Sequence, residues 1–336
     1  MVPPAGPRDR PEAYPAGGGA AVEDRGDRPR GGRPLSSRPA AAWKAESALV
    51  AIAFIWGATF VLVKQALEDT STLLFLALRF LLAAAVLALA YRRRLAGSLS
   101  GGFGRLRSGL LTGLCLFGGY LFQTLGLRLT TPSKSAFLTG LAIPLVPLLA
   151  SLMLRVPPTV PELAGIAVAT AGMALMTLPE GSLAINPGDL LTLGAAFFFA
   201  VHLLAVGHYS PREGFERLSF LQVATVALLA LATFWWAETP FLDSSLTLAG
   251  AIAVTGILAT ALALTVQAWA QRHTSYTRTA VIFAAEPVFA ALTSFVVLGE
   301  TLTGRGWLGG ALILAGILIV ELKPFSGRKR LLRRGI

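Results

Sequence analysis

Apolar residues fall in long, nearly unbroken runs along this chain, and no polar face recurs at helical spacing inside them. Ten runs can be drawn: 47–64, 72–91, 108–128, 134–154, 161–178, 188–207, 218–235, 247–270, 278–298 and 304–321. Each is close to the roughly 20 residues that carry a helix across a ~30 Å hydrocarbon core at 1.5 Å per residue. Helices that are apolar all round have no face to give to water, which argues against a large soluble core. The runs at 108–128 and 134–154 are separated by only a few polar residues and read as a tight helical hairpin. The expected fold is an all-α integral membrane protein of ten transmembrane helices.

The pattern is written twice. Trp56-Gly57 corresponds to Phe199-Ala200, Arg79 to Gln222 and Pro144 to Pro287, each 143 positions apart. Gln123 corresponds to Gln267, Gly165 to Gly309 and Gly172 to Gly316, each 144 apart. One five-run copy occupies 47–178 and the other 188–321. An odd number of spans makes the second copy enter the bilayer upside down, which predicts two inverted repeats with a site near the midplane between them.

Composition agrees with this picture. The chain is 54% hydrophobic and 14% charged, with a mean hydropathy of +0.65. Its net charge of +11 raises nucleic-acid binding, and the placement of the charges argues against it. With the N-terminus inside, twenty basic residues fall on inner loops and tails, among them Arg92, Arg93 and Arg94, Arg272 and Arg278, and the cluster Arg328-Lys329-Arg330. Only Lys64, Arg128, Lys134 and Arg305 fall outside. This bias predicts a multi-pass protein of the inner (plasma) membrane with both termini cytoplasmic. The expected partners of the basic face are anionic lipid headgroups, with no nucleic acid; a homodimer is left open.

The segment 1–44 is different material. Residues 1–40 hold 8 Pro, 7 Gly and 7 Arg, too little apolar surface to offset the entropy of ordering, so a disordered cytoplasmic tail is expected. It lacks the apolar core of a cleaved signal peptide. A basic tail, 322–336, closes the chain. The single cysteine, Cys115, lies inside the third run and reads as a small buried residue.

Several short stretches together resemble the drug/metabolite transporter superfamily, in particular its EamA-like ten-helix transporters. They are Ile55-Trp56-Gly57-Ala58-Thr59, Leu78-Arg79-Phe80, Gln123-Thr124-Leu125-Gly126-Leu127 on to Pro144, Glu286-Pro287-Val288-Phe289-Ala290-Ala291-Leu292, and Leu298-Gly299-Glu300 with the glycine-rich run Gly306 to Gly316. The resemblance covers 47–321 and implies export of a metabolite or amino acid at the inner membrane, with no particular substrate. The chain departs from the pattern where Arg155-Val156-Pro157-Pro158 stands in the first copy against Gly299-Glu300 in the second.

Polar residues inside apolar runs are the candidates for chemistry, because an ionised side chain at a helix centre costs roughly 2.5–3.5 kcal/mol unless it faces a cavity or a partner. Arg79 reads either as an anchor for a substrate carboxylate or phosphate, or as a structural or gating residue, and the second is favoured. Glu286 and His202 lie at similar depths. Burial penalises an ionised carboxylate and imidazole titrates near neutrality, so the pair could bind and release protons. In the alternative, Glu286 caps carbonyls freed around Pro287 and His202 is a hydrogen-bonded wall residue. Trp56, Tyr120, Gln123, Gln222 and Gln267 are expected to complete a cavity suited to amphipathic molecules. Pro144, Pro147 and Pro287 each remove a backbone donor inside a span and serve either as hinges or as static bends. Gly109 with Gly113, and Gly306 with Gly310, have the spacing of close helix contacts.

No catalytic constellation, metal-ligand spacing or nucleotide loop is present in the sequence, so no enzyme, metal or cofactor is expected. The reading is a secondary transporter exporting a small organic metabolite, amino-acid-like or drug-like, by alternating access. Proton coupling, facilitated diffusion and exchange all fit. The alternative is a membrane sensor or accessory subunit built on the same scaffold without net transport.

Overall fold

A computed structural model describes Met1 and residues 39–96, 103–130, 132–177, 186–298 and 303–321. The described chain is almost entirely helical: α1 (Pro39–Asp69), α2 (Thr72–Ala96), α3 (Phe103–Leu129), α4 (Pro132–Gly140), α5 (Ala142–Leu154), α6 (Val160–Thr177) and α7 (Pro187–Glu213). There follow α8 (Phe215–Ala237), α9 (Leu246–Gly256), a π-helical turn (Ile257–Leu262), α10 (Ala263–Ala270), α11 (Tyr276–Phe283), α12 (Glu286–Leu298) and α13 (Gly304–Glu321). Among the described residues, seven stretches are long and apolar enough to cross a membrane: 41–69, 72–95, 106–129, 134–154, 187–213, 215–237 and 246–270. Two shorter apolar helices lie at Val160–Met176 and Gly304–Val320. The remaining run, 278–298, is divided between α11 and α12.

Most of the tail expected at 1–44, the basic tail 322–336 and Glu300 lie outside the described residues. Residues 39–44 differ from expectation, because α1 already begins at Pro39. A proline is tolerated at a first helical position, and Ala40, Ala41 and Ala42 after it are strong helix formers.

Local chemistry sets several helix starts. Asn186 Oδ1 accepts from Asp189 N at 3.0 Å while Asp189 Oδ2 accepts from Asn186 N at 2.8 Å, a reciprocal cap on α7 with Pro187 at its first position. Ser245 Oγ accepts from Leu248 N at the start of α9, and Ser275 Oγ from Arg278 N at the start of α11. The divided helices follow from proline. A proline ring clashes with the carbonyl four residues earlier. Four residues before Pro144 is Gly140, the last residue of α4, and four before Pro287 is Phe283, the last residue of α11. In both gaps the backbone tightens to three-residue hydrogen bonds, Leu141 N to Leu138 O at 3.2 Å and Ala284 N to Val281 O at 3.1 Å. Pro147 lies one turn further on, inside α5.

The most extensive packing joins α6 to α13, α3 to α7 and α2 to α8. The α6–α13 crossing is glycine on glycine. A Cβ on Gly172 would stand 2.6 Å from Gly309 O, and one on Gly165 would stand 2.7 Å from Gly316 O. The residue order runs oppositely on the two helices, so they pack antiparallel. Gly109 and Gly113 also pack closely, against Leu221 and Thr225 of α8. Gly310, named by its spacing to Gly306, meets nothing within 4 Å; Gly309 and Gly316 make the contact instead. Leucine and tryptophan dominate the outer surface, as with Leu89, Leu152, Leu246, Trp235, Trp236 and Trp307, all exposed. Such a surface suits acyl chains rather than water.

Candidate functional site

A cavity of about 990 Å³, its open mouth included, lies among α1, α2, α3, α4, α5, α7, α10, α11 and α12. Both divided helices open onto it. Gly140, Ala142 and Ile143 line it on either side of the first gap, and Phe283 and Glu286 on either side of the second.

Of the residues singled out by sequence, Trp56, Arg79, Tyr120, Gln123, His202, Gln267 and Glu286 line this cavity together. Gln222 does not. It stands behind His202, fully buried, with His202 Nε2 at 2.8 Å from its Oε1. The direction of this hydrogen bond follows from the imidazole tautomer. No hydrogen bond links His202 to Glu286 among the described residues. The Glu286 side chain, half-buried, makes no hydrogen bond to a backbone carbonyl near Pro287 either. It sits in the first turn of α12 and faces the cavity. The residue 143 positions earlier, at the equivalent turn of α5, is Ile143.

Arg79 is built into the wall. Its Nε donates to Thr260 Oγ1 at 2.8 Å, and Nη2 donates to Tyr120 Oη at 3.3 Å. The guanidinium lies 4.6 Å from the Tyr120 ring centroid, near enough for a cation–π contact. Trp56 Nε1 donates to Ala259 O at 2.8 Å. Trp56 and Arg79 therefore both hold the π-helical turn, a device that often marks functional sites in helices. Next to Trp56, Gly57 lets α1 approach the break before α12: a Cβ there would stand 2.5 Å from Glu286 O. Gln123 Nε2 donates to Thr139 Oγ1 at 3.2 Å, joining α3 to the last turn of α4. Gln267 Nε2 donates to Gln271 Oε1 at 3.3 Å, and its own Oε1 is buried without a hydrogen-bond partner among the described residues.

Aromatic surface completes the walls. Tyr120 packs edge-on to Phe80 and Phe199, and Trp56 to Phe283. Thr59, Phe60, Thr139 and Phe199 line the cavity as well. Sequence reasoning passed over Thr260, the partner of Arg79. The one signal for it is the change of spacing from 143 to 144 between Gln222 and Gln267, which marks an extra residue in this stretch. His273 lies in the turn between α10 and α11, where burial and the adjacent Arg272 hold its imidazole below its ordinary pKa. Among the described residues, no three His, Cys, Asp or Glu side chains converge as metal ligands would.

An aromatic and amide-lined cavity, bounded by divided helices inside a lipid-facing bundle, defines a multi-pass membrane transporter. The model of the EamA-like transporter family matches residues 43–178 and again 186–322, and the chain belongs to that family. It is 32% identical to an uncharacterized transporter of Archaeoglobus fulgidus over 279 residues, covering 83% of this chain and 86% of that one. It is 30% identical to a probable amino-acid metabolite efflux pump of Salmonella typhimurium over 295 residues, covering 80% of this chain and 91% of the pump. A solved crystal structure superposes with a TM-score of 0.70 at 21% identity, over 87% of this chain and 99% of its own, and shows the same fold.

Proposed function

We propose that this protein exports a small organic metabolite, amino-acid-like or drug-like, across the inner membrane by alternating access. It does so as ten spans in two inverted five-span halves, with both termini in the cytoplasm. The observation that carries the reading is the cavity bounded by two helix gaps at equivalent places in the two halves. A gap beside a cavity lets a half-helix swing without breaking a continuous hydrogen-bond ladder, and Pro144, Pro147 and Pro287 are the hinges. The antiparallel glycine crossing of α6 and α13 supports the inverted arrangement, because a two-fold axis in the membrane plane reverses one half against the other. Export is supported by likeness to the Salmonella typhimurium pump.

Within the cavity, Trp56, Tyr120 and Gln123 offer aromatic and amide surface to an amphipathic substrate, and Arg79 shapes the wall. Glu286 and His202 carry the proton in a coupled cycle. Counterflow of labelled amino acids, nucleosides and sugar derivatives in proteoliposomes tests transport; no flux for any class would favour a sensor or accessory role. Glu286→Gln tests the coupling. Flux is expected to fall about tenfold, the size of one lost proton-linked step worth ~1.4 kcal/mol, and to lose its pH dependence. A variant with unchanged pH dependence removes Glu286 from the proton path.

A further inference from the structure

Two polar clusters, one at each end of the bundle, share one design. At one end, Asp189 at the start of α7 accepts from Thr130 Oγ1 at 2.9 Å and from Lys134 Nζ at 2.5 Å. At the other, Glu46 near the start of α1 accepts from Thr274 Oγ1 at 3.2 Å and from Arg278 Nη1 at 3.0 Å. Glu46 and Asp189 are 143 positions apart; Thr130 and Thr274, and Lys134 and Arg278, are 144 apart. These are the spacings that relate the cavity glutamines and the helix-breaking prolines. In each cluster an acid from one half of the chain grips a threonine and a cation of the other half.

Helix α1 places the clusters at opposite ends. Its Lys64 donates to the carbonyls of Leu127 at 2.6 Å and Thr130 at 3.3 Å, beside Asp189. Glu46 lies eighteen residues earlier on the same continuous helix, about 27 Å away at 1.5 Å per residue, close to the ~30 Å of a hydrocarbon core. Lys134 sits on α4 and Arg278 on α11, the two short helices that end at the gaps. The far ends of these helices, Thr139 with Gly140 and Ala280 with Phe283, are cavity wall. Each short helix thus carries a latch at one end and a substrate-facing surface at the other.

We propose that Asp189–Thr130–Lys134 and Glu46–Thr274–Arg278 are the latches of two gates, each holding one short helix against the bundle at one end of the cavity. This rests on the alternating-access reading: a cycle releases one latch while the other stays made. The two differ in exposure. Lys134 and Asp189 are 17% and 3% exposed, against 26% and 18% for Arg278 and Glu46. Lys64 reinforces only the Asp189 end, since the residue 143 positions after it is Gly207.

The test is sidedness of access in full-length protein, with Cys115→Ser removing the single native thiol and Thr139→Cys as reporter in the cavity. A membrane-impermeant maleimide is applied to vesicles of either orientation, and labelling in denaturing detergent gives the total. Glu46→Gln is expected to raise labelling from the Glu46 face at least about fivefold, the scale of a typical coupling between two states, and to lower it from the other. Asp189→Asn should do the reverse. The exchanged pairs Glu46→Arg with Arg278→Glu, and Asp189→Lys with Lys134→Asp, should each restore the parent pattern. Labelling that changes from neither face, that changes alike from both, or that the exchanged pairs leave unrestored overturns the proposal. Because this readout needs no substrate, a sidedness shift without flux would leave the latches standing and remove the transport reading, whereas flux without a shift would do the opposite.

Discussion

Helix α3 runs unbroken from Phe103 to Leu129, whereas the matching stretch of the second half is interrupted by the π-helical turn at Ile257–Leu262. The difference is one residue. Arg79 and Gln222 are 143 positions apart, and Gln123 and Gln267 are 144 apart, so one residue has been added between Gln222 and Gln267. A π turn absorbs such a residue by widening the helix locally, as in the hydrogen bond from Ala263 N back to Leu258 O. The widened turn is where Trp56 and Arg79 attach. Two halves with the same plan therefore differ at the turn that holds two side chains of the cavity wall. An insertion that a regular helix would reject became a docking point for the two most distinctive polar side chains of the first half.

Removing that insertion is the strongest way to break the comparison. Deleting Leu258, which is exposed on the bundle surface, would let α9 and α10 join as one α-helix like α3. Everything beyond would turn by one residue, about 100°, taking Thr260 from Arg79 and Ala259 from Trp56. Loss of two hydrogen bonds, one partly buried and one buried and donated by a charged group, predicts about 2–4 kcal/mol of destabilisation, read as a lowered unfolding temperature in detergent, together with loss of flux. Normal stability and flux would mean that the turn merely tolerates an extra residue.

A smaller effect is expected where the halves are alike. Gly172→Ala places a methyl group against the backbone of α13, with Ile313 N at 2.7 Å, and should cost about 1–3 kcal/mol as overpacking. Gly310→Ala, with open space around it, should be neutral or stabilising by up to about 1 kcal/mol through helix propensity. Equal responses in thermal unfolding would deny that the α6–α13 crossing depends on these particular glycines. The smallest effect concerns Arg155, which closes α5 in the left-handed conformation at φ 55°, at the place where the second half has Gly299. Side chains other than glycine and asparagine pay about 1–2 kcal/mol there. Arg155→Gly should therefore stabilise by about 1 kcal/mol in the same measurement.

Trp56, Arg79 and Glu286 were legible because polar or bulky groups are conspicuous inside apolar runs. Thr260 and Thr139 were not, because threonines inside spans commonly bond to their own helix. Thr225, Thr233 and Thr255 do so, donating to carbonyls four residues back. Gln222 shows the converse limit. Its type suggested a cavity residue, but its direction around α8 turns it behind His202. The latch acids, Glu46 and Asp189, sit at helix starts, where a carboxylate is ordinary; only their partners across the bundle give them meaning.

What the sequence determined by itself is local. Run length and composition fix which stretches are helical and face lipid, and two prolines, Pro144 and Pro287, mark where a helix stops four residues upstream. Which side chains share a cavity was decided by tertiary structure alone. The rotation of each helix about its axis is set by close packing at points such as Gly57, Gly172 and Gly309, and a turn of 100° between neighbouring residues separates a cavity wall from a lipid-facing surface.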